Sequence, residues 1–301
     1  MLQDAVTAEV TSALDRRGIR SIVLKGPSIA RLLYCDGRER SYVDSDFLLA
    51  PEFLSSAGTE LRKLGFTRYF PRYGEAQGLE HAEVWSRENE LVDLHWTVPG
   101  AEVSPGDVWR VLSSSTERMV VGGAEVEVLA PEGIAFHIAV HAAHHGIANQ
   151  RSIADLELAL RTLDEPTWHR ASDLAGRLGA TERFAAGLRL LPAGRELAAE
   201  LALPEERSVE TVLLTRSQTL LTLGIERVAR TPGVRRKLAL LAREVVPTRT
   251  AMRRWWPKAE QGSIWLLAGY LWRPLWLAVH AGPALIAWRA AARDSRHPER
   301  A

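Results

Sequence analysis

Two aspartates one residue apart, Asp44 and Asp46, lie in the run VDSDFLL (43–49). In a β-strand, residues i and i+2 point to the same face. Val43, Phe47, Leu48 and Leu49 are strand-forming apolar residues. The strand therefore presents two carboxylates side by side among neighbours suited to burial. Two like charges this close repel, and desolvation adds to the cost. A divalent cation between them removes the penalty, and an all-oxygen donor set suits a hard ion such as Mg²⁺ or Mn²⁺.

Two further segments narrow the chemistry. Upstream, SIVLKGPSIARLLY (21–34) reads as a strand, a turn at Lys25–Gly26, and a helix with Pro27 near its first position. Free N–H groups and the positive dipole end at such a helix start suit a phosphate. Downstream, ENELVDLHW (88–96) reads as another strand, with a third acid, Asp93, between Val92 and Leu94. Three carboxylates can hold one or two Mg²⁺ that orient a triphosphate for in-line displacement. Each feature also has a plain reading. Asp-x-Asp is common on solvated strands, and Lys25 could be a surface lysine at a strand end. Arg40 could pair structurally with Asp44 or Asp46, and His95 and Trp96 read as packing residues.

Taken together, these motifs resemble the bacterial uncharacterised nucleotidyltransferase family, within the polymerase-β-like nucleotidyltransferase superfamily. The likeness rests on Lys25–Gly26, on Arg40 four residues before Asp44-Ser45-Asp46-Phe47-Leu48, and on Val92-Asp93-Leu94-His95-Trp96. It spans roughly residues 20–100 and continues more weakly through 131–146, Asp155–Leu156 and YLWRP (270–274). Where the superfamily usually has Gly-Ser at the turn, this chain has Lys-Gly-Pro-Ser.

The resemblance implies an α+β fold: a mixed sheet with flanking helices, followed by a mostly helical C-terminal domain. It implies transfer of a nucleoside monophosphate from an NTP such as ATP to an acceptor. Asp44 and Asp46 would ligate the metal, and Asp93 would complete the site or act as base. Gly26 would admit phosphates close to the backbone, with Lys25 and Ser28 as candidate phosphate contacts. Arg40 would orient the carboxylates or offset triphosphate charge. Two alternatives stand beside this: a non-catalytic nucleotide- or partner-binding protein that keeps the fold, and a kinase-like phosphotransferase using the same metal site. The acceptor could be a small molecule, a peptide or an RNA.

The elements that must position these residues follow from patterning. The first eighteen residues read as an amphipathic helix with no secretory signal. Strands are expected near 20–25, 42–49, 66–70, 79–86, 90–97 and 126–130, with helices at 27–34 and from Pro51 through Leu64. From Pro131 the periodicity becomes helical, with Gly146, Gly179 and Gly224 as stops. A catalytic domain over 1–130 and a helical domain over 131–301 are expected, with the cleft between them.

At 301 residues, 46% hydrophobic and 25% charged, the composition is that of a soluble globular protein, and a net charge of +1 gives no sign of a polyanionic partner. One cysteine, Cys35, excludes an internal disulfide and points to the cytoplasm. No base is evident for a catalytic Cys35.

Three other features invite function. His137, His141, His144 and His145 share a helix, which suggests zinc, cleft lining or packing. Residues 227–258 hold ten Lys or Arg against one acid, Glu244. This reads as a solvated face or as a surface for an anionic acceptor, RNA or phospholipid. Residues 264–288 are the most apolar stretch, and six of the ten tryptophans lie from 255 onward. Arg273–Pro274 and Gly282–Pro283 interrupt this stretch. Two amphipathic helices, packed on the core or lying peripherally on a membrane, are therefore expected rather than a span.

Overall fold

The computed structural model describes residues 2–34, 40–69 and 81–296. Cys35 and positions 79–80 of one expected strand lie outside them. The described residues up to Glu205 form one compact unit, and those from Glu206 onward form a second.

The first unit is built on a seven-stranded mixed sheet. Its strands are β1 (Ser21–Val23), β2 (Asp44–Leu49), β3 (Thr67–Tyr69), β4 (Ala82–Arg87), β5 (Glu90–His95), β6 (Thr116–Val121) and β7 (Ala124–Leu129), in the spatial order β3-β4-β5-β2-β1-β7-β6. At the centre, β2 runs antiparallel to β1 and parallel to β5. The β6–β7 hairpin turns at Gly122–Gly123, both with positive φ (57° and 87°), the backbone that a tight two-residue turn demands.

Period-two alternation in the central strands feeds two cores. Val23, Phe47, Leu49, Val92 and Leu94 face one side. There they meet α1 (Leu2–Asp15) through Val6, Val10 and Leu14, and α3 (Leu54–Lys63) through Ala57 and Leu61. Ile22, Leu24 and Leu48 face the other side. That side is covered by α2 (Pro27–Leu33), α4 (Pro105–Leu112), α5 (Pro131–His145), α6 (Gln150–Thr162), α7 (Glu165–Arg177) and α8 (Thr181–Leu188), followed by α9 (Pro192–Glu200). α5 is buried along most of its length, as expected for a helix apolar on all faces. At Gly187 of α8, an added Cβ would fall 1.9 Å from the Ala139 carbonyl oxygen, so only glycine permits this approach to α5. The helices from Pro131 to Glu200 thus complete the core of the sheet, and the boundary expected near residue 130 runs through the first unit.

The second unit contains α10 (Val209–Thr215), α11 (Leu220–Arg230), α12 (Val234–Val245), α13 (Arg249–Trp255) and α14 (Ser263–Asp294). Two expectations are corrected here. Gly224 lies inside α11 instead of ending a helix. The run 264–288 is one continuous helix and not two, with Pro274 and Pro283 inside it. Both prolines are exposed, so water can satisfy the carbonyls they leave without an N–H partner. Among the described residues, no helix is long and apolar enough to cross a membrane.

Candidate active site

The parallel pairing of β2 with β5 sets Asp46 opposite Asp93 and Leu48 opposite His95. Residues directly opposite share a face, so Asp44, Asp46, Asp93 and His95 all project to the side covered by α5. The residue between the two aspartates is fixed from the other side. Ser45 Oγ accepts a hydrogen bond from Gln3 Nε2 at 2.9 Å and lies 2.7 Å from Thr7 Oγ1, both on α1. Gln3 Nε2 also donates to the Leu91 carbonyl of β5 at 2.9 Å. One buried polar cluster thereby ties the register of both acid-bearing strands to the first helix.

Asp46 is fully buried. Its Oδ1 lies 3.1 Å from Lys25 Nζ and 3.0 Å from His95 Nε2. Its Oδ2 has no hydrogen-bond partner. Burial alone would raise this carboxyl, but Lys25 and His95 outweigh it and hold it well below the usual carboxylate range. Lys25 Nζ also lies 3.5 Å from Asp44 Oδ2, so one ammonium spans the Asp-x-Asp pair. Burial favours the neutral amine, yet Asp46, Asp44 and Asp93 together push its pKa above that of an ordinary lysine. For Asp93 the pull of His95 and Lys25 is outweighed. Burial first, and then the charge on Asp46, raise its carboxyl to about 7.

Ligand atoms of Asp46, Asp93 and His95 lie within 4.8 Å of one another. A buried carboxylate oxygen without a partner, a neighbouring acid raised by burial and like charge, and a ring nitrogen beside them make a donor set suited to a divalent cation. The residues fit such an ion. Asp44, half-buried at the mouth of the pair, adds a further carboxylate. His95 is the residue that the sequence reading placed in packing. Its signal was present, since it stands two residues after Asp93 and therefore on the same face, but the register with Asp46 makes it a partner of the acids.

The turn that follows β1 lies alongside. Gly26 has φ 73° and ψ −109°, and an added Cβ would press on the Tyr42 ring at 3.3 Å. Ser28 is fully buried, with its Oγ without a partner. Arg40 corrects one expectation. It pairs with neither Asp44 nor Asp46 but grips Asp155 of α6 in a two-pronged contact, Nε to Oδ1 at 2.9 Å and NH2 to Oδ2 at 2.7 Å. Tyr34 O–H donates to the same carboxylate at 2.7 Å.

The profile of the uncharacterised nucleotidyltransferase family matches residues 1–193. The chain belongs to that family. No curated protein matches. Solved structures with some likeness include ANT(2")-Ia in complex with adenylyl-2"-tobramycin, at 19% identity and TM-score 0.44, covering 59% of this chain and 99% of that one. A nucleotidyltransferase-like antigen from Paracoccidioides brasiliensis gives 16% identity and TM-score 0.41, covering 67% and 92%.

Around the acids of this nucleotidyltransferase-family chain the histidines gather. His81 stacks on His95 with ring centroids 5.4 Å apart and meets His144 edge-on at 5.3 Å. Along α5, His137 stacks on His141, and His141 meets His145 at a tilt of 53°. Burial, reinforced by Lys25, lowers His137 to about 3 and His141 well below its usual value. These rings are neutral at pH 7. Both ring nitrogens of His137 are buried without a partner. Among the described residues, the one group of three or more side chains with metal-ligand geometry is Asp46, Asp93 and His95.

Proposed function

We propose that this protein transfers a nucleoside monophosphate from an NTP to an acceptor, in a reaction that depends on Mg²⁺ or Mn²⁺. The observation that supports it most directly is the pairing of Asp46 with Asp93. Two carboxylates stand in register on neighbouring strands, one with a buried oxygen that nothing satisfies. In a family named for nucleotidyl transfer, that arrangement is the natural seat of the ion.

Asp44, Asp46 and Asp93 would hold the metal, with His95 keeping Asp46 in place. When bound, the ion would neutralise triphosphate charge and stabilise the transferring phosphoryl group. The chain's own groups do the rest. Asp93, ionised once the cation is in place, would take the proton from an acceptor hydroxyl. The acceptor oxygen then bonds to the α-phosphorus, the bond from that phosphorus to the bridging oxygen breaks, and pyrophosphate leaves. Lys25, the cation now resting on Asp44 and Asp46, is the candidate to follow the phosphates, with the Gly26 turn and the unpartnered Ser28 hydroxyl beside it. Arg40, locked to Asp155, acts as a brace between the segment before β2 and α6 and has no charge to spare for a triphosphate. We place the reaction in the cytoplasm, where NTPs are made and a lone cysteine stays reduced. A small molecule, a peptide or an RNA would serve as acceptor.

The test is to incubate the protein and a cell extract with NTPs labelled at the α- or the γ-phosphorus. Label from the α-position should enter an acceptor, and Asp46→Asn should lower the rate at least about a hundredfold while the protein stays folded. Transfer of γ-label alone would make the protein a kinase. Transfer of neither, or full activity in Asp46→Asn, would defeat the proposal.

A further inference from the structure

α14 carries a stripe that its own unit leaves uncovered. Ile264, Leu267, Leu271, Leu275, Val279 and Ile286 are all exposed, Leu271 and Leu275 at 69% and 60%. Their spacing keeps them within one side of a 3.6-residue helix. The buried positions Gly269, Arg273, Ala284 and Ala291 lie on the opposite side. There the helix is anchored. Trp288 Nε1–H donates to Glu226 at 2.7 Å, and Arg273 Nε–H donates to the Glu244 carbonyl at 2.6 Å with its guanidinium 4.8 Å over Trp255. The stripe is therefore the outward face of a fixed helix, about 33 Å from end to end.

Cations stand at both ends of the stripe, and no acid lies along it. At the N-terminal end, Lys258 Nζ sits 5.8 Å over the Trp265 ring. At the C-terminal end, the same helical spacing runs on from Ile286 to Arg289 and Arg293, both exposed. No acid occurs between Glu260 and Asp294. Trp265 and Trp272 flank the stripe and are exposed at 43% and 49%. An apolar face flanked by tryptophan, with cations at its ends, matches the layered chemistry of an anionic phospholipid surface: acyl chains in the middle, phosphate head groups at the rim. A second protein would have to offer a similarly long apolar groove with acids placed at both ends.

We propose that α14 lies flat on an anionic phospholipid surface through this stripe, with Lys258, Arg289 and Arg293 contacting lipid phosphates. Two interruptions by proline and a buried arginine suit a helix that rests on a membrane instead of crossing it. The inference is independent of the nucleotidyl-transfer reading.

Flotation of the full chain with vesicles tests it. The protein should float with phosphatidylcholine–phosphatidylglycerol vesicles, far less with phosphatidylcholine alone, and progressively less as salt rises. Leu271→Glu with Leu275→Glu should weaken binding at least about tenfold. Both sites are exposed, so the circular dichroism and melting temperature should hold. If that variant unfolds, Arg289→Glu with Arg293→Glu provides the same test through charge. Trp emission should shift to the blue on binding. The proposal is overturned if the protein does not float, or if both double variants float as well as the parent. It is also overturned if the parent sediments as a dimer that Leu271→Glu with Leu275→Glu dissolves, because the stripe would then belong to a second copy.

Discussion

Lys25 already plays the part of a cation in the acidic cluster. Its ammonium spans Asp44 and Asp46, yet it reaches only one oxygen of Asp46 and leaves the other bare. Removing it uncovers a buried carboxylate, which costs about 3 kcal/mol when the partner is lost from such a pair. Lys25→Met should therefore melt well below the parent in EDTA, and Mg²⁺ should restore most of the difference; an equal melting temperature in EDTA would show that Lys25 is a bystander. Asp93 gives the cluster its pH dependence. Its folded pKa, about 7, lies above the ordinary aspartate value of 3.8, so the folded state holds a proton that the unfolded chain releases between those limits. The metal-free protein should lose stability from this group as pH rises from about 4 to 7, with the loss complete above that. Cation binding must displace the same proton. Mg²⁺ affinity, followed by titration calorimetry, should accordingly be about tenfold weaker at pH 6 than at pH 8. A flat profile would mean that Asp93 is ionised throughout and is not a ligand.

At the scale of elements, the strands that carry chemistry were the most legible part of the chain. Apolar alternation around Asp46 and Asp93 fixed their faces, and Gly26 announced its turn. What stayed hidden depends on register or exposure. His95 joins Asp46 only because β2 and β5 pair in parallel with Asp46 opposite Asp93, a long-range fact that no local pattern encodes. β6 escaped notice because it is an edge strand with few buried side chains, and edge strands lack the apolar signature that marks central ones. α4 escaped likewise, a short helix whose Ser104 cap was visible but whose pattern was not read. In α14 the prolines suggested a break, yet exposed prolines in a well-anchored helix interrupt the hydrogen-bond ladder without ending it. Arg40 is the instructive miss. Proximity in sequence pointed to Asp44, whereas the fold supplies Asp155, 115 residues away, in a pair nearly sealed from water. Asp155→Ala should strand that guanidinium at a cost of about 3–5 kcal/mol and loosen the segment that leads into β2. Arg40→Met combined with Asp155→Ala should recover part of the loss, as urea melts of the three variants would show. If the single change is as mild as the double, the pair does not brace the site.

For the whole molecule, the division at Glu205 separates two kinds of chemistry. Lys25, Asp44, Asp46, Asp93 and His95 all belong to the first unit, as do α5 to α9, which close its core, and the family match ends at residue 193 within it. The second unit has a small core around Val212, Leu213 and Ala291 and is dominated by α14. A first unit with two extensive cores of its own has enough buried apolar surface to fold alone. The fragment 1–205 should therefore melt cooperatively and bind Mg²⁺ within about threefold of the full chain, since no candidate ligand is removed. It should also fail to float with anionic vesicles, since the apolar stripe and its flanking cations are gone. Loss of Mg²⁺ binding in a folded fragment would show that residues after 205 help build the site, and vesicle binding by the fragment would move the lipid contact off α14.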